Sequence, residues 1–150
     1  MTLSKTQTEH VERLFAASDS PRSKRVLLQG WEQFDEPVDR IVSIGAFEHF
    51  GHDRYEAFFE MANGVLPDDG IMLLHSITGL HPDEMRERGM PLTFTFARFL
   101  KFMWTEIFPG GRLPTIPMVQ ERATAGGFRV TRVDMFRVGY IDVNQFTCAK

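Results

Sequence analysis

The sequence predicts an α/β chain with a parallel sheet and an antiparallel hairpin at its carboxyl end, on three observations. Short apolar runs, each closed by glycine or by a turn, alternate with amphipathic helices, the rhythm of βαβ units. Residues 128–137 and 141–149 instead alternate apolar and polar side chains, as half-exposed strands do. The 150 residues (17.2 kDa) amount to one domain, long enough to bury a sizeable core without disulfide staples.

Taken in order, residues 4–17 read as a helix that Ser4 caps, with Val11, Leu14 and Phe15 at helical spacing and Asp19-Ser20-Pro21 ending it. Residues 25–29 and 40–44 are apolar runs closed by Gly30 and Gly45, each expected as a buried strand. Between 54 and 66, Tyr55, Phe58, Phe59, Ala62 and Leu66 share one face of a helix. Pro67-Asp68-Asp69-Gly70 is a turn, and 71–77 a third buried strand. A short polar helix over 82–88 precedes a long apolar one over 94–108, stopped by Pro109-Gly110-Gly111. Leu113-Pro114 and Ile116-Pro117 extend that loop, and a last helix runs over 118–125. Gly139-Tyr140 joins the two terminal strands as a hairpin.

Composition excludes several function classes. Seventeen Lys and Arg against 20 Asp and Glu leave a net charge of -3, no electrostatic footprint for nucleic acid. A single cysteine, Cys148, rules out an internal disulfide framework, and no metal-ligand spacing occurs. No apolar run is long enough to cross a membrane, and the first residues lack a signal peptide's apolar stretch, so the expected location is cytoplasmic. Fourteen Phe against two Tyr point to a large dry core or an apolar binding channel.

Open α/β sheets bind ligands beyond the carboxyl ends of their strands, which directs attention to 29–32, 44–49 and 75–79. At Gln29-Gly30-Trp31-Glu32, glycine permits close approach of a ligand, the indole offers a stacking plane and the carboxylate accepts from an amine or hydroxyl; the plainer alternative is a surface loop anchored by Trp31. Glu48, just past a strand end, faces either a ligand or a local ion pair, and His49 is either an acid-base group or a structural histidine. His75 interrupts an apolar strand as a structural hydrogen bonder or as a site residue. His10, His52 and His81 read as solvated or loop residues. Along 94–108, Thr95, Arg98, Lys101, Thr105 and Glu106 make only a thin polar stripe, so that helix is either buried on several sides or lines a channel for an acyl chain.

The string Gln29-Gly30-Trp31-Glu32-Gln33-Phe34-Asp35-Glu36-Pro37-Val38-Asp39-Arg40-Ile41-Val42-Ser43-Ile44-Gly45-Ala46-Phe47-Glu48-His49-Phe50 closely resembles the mycobacterial mycolic acid methyltransferases, the cyclopropane mycolic acid synthases above all. Leu73-Leu74-His75-Ser76-Ile77-Thr78, the stretch from Thr105 to Pro114 and the ending from Gly139 to Cys148 resemble the same family. The resemblance implies a partial doubly wound, Rossmann-like class I S-adenosylmethionine-dependent methyltransferase domain over 1–150. It implies methyl transfer to a cis double bond of a long meromycolate chain held on acyl carrier protein, through a carbocation that loses a proton to bound bicarbonate. Aromatic faces stabilise such a cation and an apolar channel excludes water. By the same resemblance Thr2, Leu3, Gln7, Trp31 and Glu32 contact S-adenosylmethionine, while Ile44, Glu48 and His75 belong to the bicarbonate pocket, Glu48 orienting the ion and His75 bonding to it.

The departures from the family carry their own expectations. Family members are roughly twice this length, against an ordinary domain of about 100–150 residues. The family's first strand and Gly-rich cofactor loop have no counterpart here, no G-x-G occurs, and a helical insert with its bicarbonate-pocket Tyr is missing near Met135-Phe136, Tyr140 lying beyond that junction. The strand at 40–44 is therefore expected to keep an open edge, a surface for self-association, with weakened cofactor binding. The rival expectation is a non-catalytic remnant that binds acyl chains or protein partners. Low stability is predicted: in calorimetry the isolated chain melts below about 60 °C, the upper mesophile range, and a two-state melt above it contradicts the expectation.

Overall fold

The computed structural model describes residues 1–80, 82–89, 93–107, 112–138 and 141–150, and falls into two compact units, Met1–Glu36 and Pro37–Lys150. In the first unit Ser4 caps helix α1 (Lys5–Ala16) by accepting a hydrogen bond from the Gln7 amide. The run at 25–29, expected as a strand, makes only one parallel bridge, Thr2 opposite Leu28, with the Thr2 amide donating to the Leu27 carbonyl at 2.9 Å. A strand needs a continuous ladder, and this bridge is the one pairing found for the run among the described residues. Trp31–Gln33 is a single 3-10 turn.

The second unit is built on a four-stranded sheet in the order β1-β2-β4-β3. Strand β1 (Arg40–Ile44) runs parallel to β2 (Ile71–Thr78), with Arg40 opposite Ile71 and Ile44 opposite His75. Strand β4 (Ile141–Ala149) is antiparallel to β2 and to β3 (Arg129–Val138), so one strand pair is parallel and the hairpin is antiparallel, as expected. The Gly139-Tyr140 connection lies outside the described residues. A bulge at Thr131 shifts the β3 register, and its hydroxyl donates to the Thr147 carbonyl.

Period-2 alternation decides which side of the sheet holds the core. Met72, Leu74, Phe146 and Cys148 are buried on one face, and Ser76, Thr78, Asp142 and Asn144 continue that face as a buried polar end. Helix α2 (Tyr55–Val65) packs there through Tyr55, Phe58, Phe59, Ala62 and Val65, beside α5 (Ile116–Ala125) through Val119 and Ala123. The helices meet tightly at Gly126, where any Cβ would collide with Phe59. Gly127, at φ +86, completes the turn into β3.

Four more expectations change. The apolar run of β1 reads as a buried strand, but Val42 and Ile44 are about two-thirds exposed: as the missing first strand of the family implies, β1 has an open edge, with β2 its one strand partner among the described residues. Helix α5 starts at Ile116, not 118: Thr115 caps it through the Met118 amide, and a proline is tolerated in a first turn that needs no amide donor. The long helix at 94–108 is α4 (Phe94–Phe102) followed by a π turn, Met103–Ile107, with 108–111 outside the described residues. It is not buried on several sides, since Phe94, Phe99 and Phe102 are half or more exposed. The polar helix is α3 (Pro82–Glu87), with Arg88 in the following turn and His81 outside the described residues.

Burial holds the Cys148 thiol up at about 12, and burial together with the Glu48 charge raises the Tyr55 hydroxyl above its ordinary range. Both groups hold their protons more firmly folded than unfolded. Their contribution to stability is therefore complete below pH 9 and is lost as pH rises toward 12. Urea titrations at pH 8 and pH 11 test this: the midpoint falls at the higher pH, and the fall is smaller in Cys148→Ala.

Candidate functional site

In the first unit, three polar groups converge at the start of α1. The Thr2 hydroxyl donates to Gln7 Oε1 at 2.5 Å, the Ser4 amide donates to Thr2 Oγ1 at 3.2 Å, and the Gln7 amide donates to Ser4 Oγ at 3.3 Å. Because Thr2 also pairs with the Leu27-Leu28 segment, the turn at 30–33 emerges beside this cluster. Leu3, which is mostly exposed, lies with its Cδ2 3.8 Å from where a Cβ on Gly30 would stand. The Glu32 carboxylate folds back over Gly30 into the space that same Cβ would occupy. Trp31 is half-buried and Glu32 exposed. One end of this unit thus gathers Thr2, Leu3, Gln7, Gly30 and Glu32, with Trp31 between the last two in sequence, and supplies hydroxyl, amide, carboxylate and aromatic surface.

In the second unit the site residues stand at the carboxyl end of β1. Gly45 adopts φ +60 and donates its amide to the His75 carbonyl at 3.0 Å, turning the chain off the strand. The next turn, Phe47–His49, is pinned by Phe47, fully buried and stacked on Tyr55 with ring centroids 3.9 Å apart. Glu48 is thereby carried inward, only 5% exposed, while His49 stays exposed. Ser76 Oγ donates to Glu48 Oε2 at 2.9 Å, and the Arg112 amide donates to the Glu48 carbonyl at 3.1 Å. The Tyr55 hydroxyl donates to the Arg112 carbonyl at 2.9 Å, so α2 and the segment at 112 brace the same turn.

His75 precedes Ser76 on β2, so alternation sends its imidazole to the opposite face from the Ser76–Glu48 contact. Its Nδ1 is buried and has no hydrogen-bond partner. Ile44, opposite His75 in the register, is 65% exposed. The polar end of the sheet holds residues that sequence reasoning did not single out. Asn144 Nδ2 donates to Thr78 Oγ1 at 2.7 Å, and Asp142, itself buried, pairs with Arg88 at 3.0 Å. Their signal was polar residues at consecutive inward positions of two paired strands, legible only once the register is known. Among the described residues no three His, Cys, Asp or Glu are grouped to hold a metal ion, and no helix is long and apolar enough to cross a membrane.

Comparison with known proteins agrees with the resemblance. The family model described as mycolic acid cyclopropane synthetase matches residues 1–146. Cyclopropane mycolic acid synthase 1 of Mycobacterium tuberculosis is 57% identical over 195 aligned positions, covering 100% of this chain and 68% of that protein. Set against 150 residues, those 195 positions leave at least 45 of the relative opposite gaps. The solved structure of the cyclopropane synthase MmaA2 from the same organism superposes with a TM-score of 0.94 at 49% identity, covering 99% of this chain and 68% of that one. That of the cyclopropane synthase CmaA1 complexed with SAH and CTAB gives 0.90 at 57% identity, with the same coverage.

The turn that places Glu48 yields a direct test. A Cβ on Gly45 would find open space, its nearest neighbour being Glu48 Oε1 at 3.9 Å, so substitution is penalised by backbone conformation alone. Gly45→Ala lowers unfolding free energy by about 1–2 kcal/mol, and Gly45→Asn by less, because Asn tolerates the left-handed region. Urea denaturation of the two variants measures the difference.

Proposed function

This chain belongs to the mycolic acid cyclopropane synthetase family, and from that premise we propose that it is an S-adenosylmethionine-dependent methyltransferase whose acceptor is a cis double bond in a long acyl chain. The observation that carries the proposal is the convergence of Thr2, Leu3, Gln7, Gly30 and Glu32 at one end of the first unit. The polar groups gathered around Gly30, where the Glu32 carboxylate lies close over the backbone, suit a nucleoside and an amino-acid moiety. Trp31 stacks on the adenine, and Glu32 accepts from ribose hydroxyls. Thr2 and Gln7 supply hydroxyl and amide contacts, with Leu3 as apolar cover. Bound there, S-adenosylmethionine supplies the methyl group for transfer.

The second unit, taken by itself, carries Glu48, His75 and Ile44 at the carboxyl end of β1 and on β2. His75 Nδ1, cut off from water and unpartnered, has an open hydrogen bond that a small oxyanion satisfies. Glu48 is an acceptor for the single hydroxyl of bicarbonate. The imidazole lies on the opposite face of β2 from the Ser76-bound carboxylate oxygen, so each group offers the ion its own contact, one as acceptor of its hydroxyl and one as a bond to its oxygens. Ile44 provides an apolar wall. The long acyl substrate, delivered on acyl carrier protein, lies against phenylalanine side chains, which exclude water and stabilise positive charge.

Calorimetric titration with S-adenosylhomocysteine tests the cofactor site. The expected result is saturable heat below about 1 mM ligand. Binding weakens about 10-fold or more in Trp31→Ala, the loss expected of one base-aromatic stack. Absence of heat at millimolar ligand, with Trp31→Ala behaving identically, contradicts it.

A second reading, acyl-chain binding without catalysis, is favoured by the exposure of Phe94, Phe99 and Phe102 on α4. It predicts displacement of a fluorescent fatty acid that is lost in Phe99→Asp even when S-adenosylhomocysteine gives no heat.

A further inference from the structure

We propose that Ser76 is a positioning residue that holds the Glu48 carboxylate in its working orientation. The proposal rests on the reading of Glu48 as part of the methyl-transfer site. Glu48 is 5% exposed and Ser76 fully buried, so neither group can exchange its partner for water. The Ser76 hydroxyl has one proton and two acceptors within reach, Glu48 Oε2 at 2.9 Å and the Ile77 carbonyl at 3.1 Å. A bond to an ionised carboxylate is about twice as strong as one to a neutral carbonyl, so an ionised Glu48 takes the proton. Asn144 stands directly across from Ser76 in the β2–β4 register, and its amide donates to Thr78. Its Oδ1 is buried and accepts from no group, so Ser76 does not spend its proton there.

The result is a division of labour between the two carboxylate oxygens. Oε2 is fixed by Ser76. Oε1 lies on the side of Gly45, 3.9 Å from where a Cβ would stand there, at the carboxyl end of β1. Without the hydroxyl, the carboxylate keeps its burial and loses the bond that sets its rotation. The backbone bond from Arg112 to the Glu48 carbonyl still holds the turn, so orientation is lost while the fold remains.

The experiment compares Ser76→Ala, Ser76→Cys (similar volume, weak donor) and Ser76→Thr (hydroxyl retained) in the full chain, each shown to be folded by circular dichroism. Methyl transfer to a cis-alkenyl acyl chain is expected to fall about 10- to 100-fold in kcat for the alanine and cysteine variants, as loss of a hydrogen bond to a charged group implies. KM for S-adenosylmethionine stays unchanged, and Ser76→Thr restores turnover. Independently, the Glu48 carboxylate stretch, isolated in the infrared by subtracting Glu48→Gln, shifts in Ser76→Ala and returns in Ser76→Thr. An unmoved Glu48 band in folded Ser76→Ala overturns the proposal, as does a moved band with undiminished kcat. If the parent chain transfers no methyl group while the band still moves, the methyltransferase reading fails and the hold of Ser76 on Glu48 stands.

Discussion

The stacking of Phe47 on Tyr55 is the contact around which the second unit's site is arranged. With the Phe47 ring locked against Tyr55 at 3.9 Å and edge-on to Phe58 and Phe59, the backbone at 47–49 has one orientation, and Glu48 must enter the interior. A carboxylate there needs a donor, and Ser76 meets it from β2. The same Tyr55 reaches the Arg112 carbonyl, whose residue in turn bonds the Glu48 main chain. Packing energy in the aromatic cluster thus fixes the position of one charged group. The first unit works on another basis: short polar contacts at a helix start, with a glycine leaving room for the carboxylate two residues on.

Much of this was legible in the sequence because local signals were strong. Ser4 before Val11, Leu14 and Phe15 gave the first helix, and the Tyr55-to-Leu66 face gave the second. Strands β2, β3 and β4 followed from apolar runs and alternation. Trp31, Glu32, Glu48 and His75 stood out by their places at or just past the carboxyl ends of apolar runs, whereas Thr2, Leu3, Gln7 and Ile44 came from family resemblance alone, which carries positions and not contacts.

What was not legible depends on neighbours. An apolar run such as 25–29 becomes a strand only where a ladder exists to receive it, and here a single bridge forms. Strand β1 reads as buried from Ile41, Val42 and Ile44 taken alone; its open edge, which leaves two of these exposed, followed only from the family resemblance and its absent first strand. Ile116-Pro117 looked like loop because proline dominates the local signal, although the Thr115 cap makes it a helix start. The Ser76–Glu48 bond and the Asn144–Thr78 bond join residues 28 and 66 apart, distances at which no periodicity speaks.

Whether the first unit holds a sulfonium methyl donor is decided most directly residue by residue. In a 15N-1H correlation spectrum titrated with S-adenosylhomocysteine, the account predicts shifts of the Trp31 indole and of the amides of Leu3, Gln7, Gly30 and Glu32, saturating together. Shifts absent from all of these, or confined to α4, would contradict it.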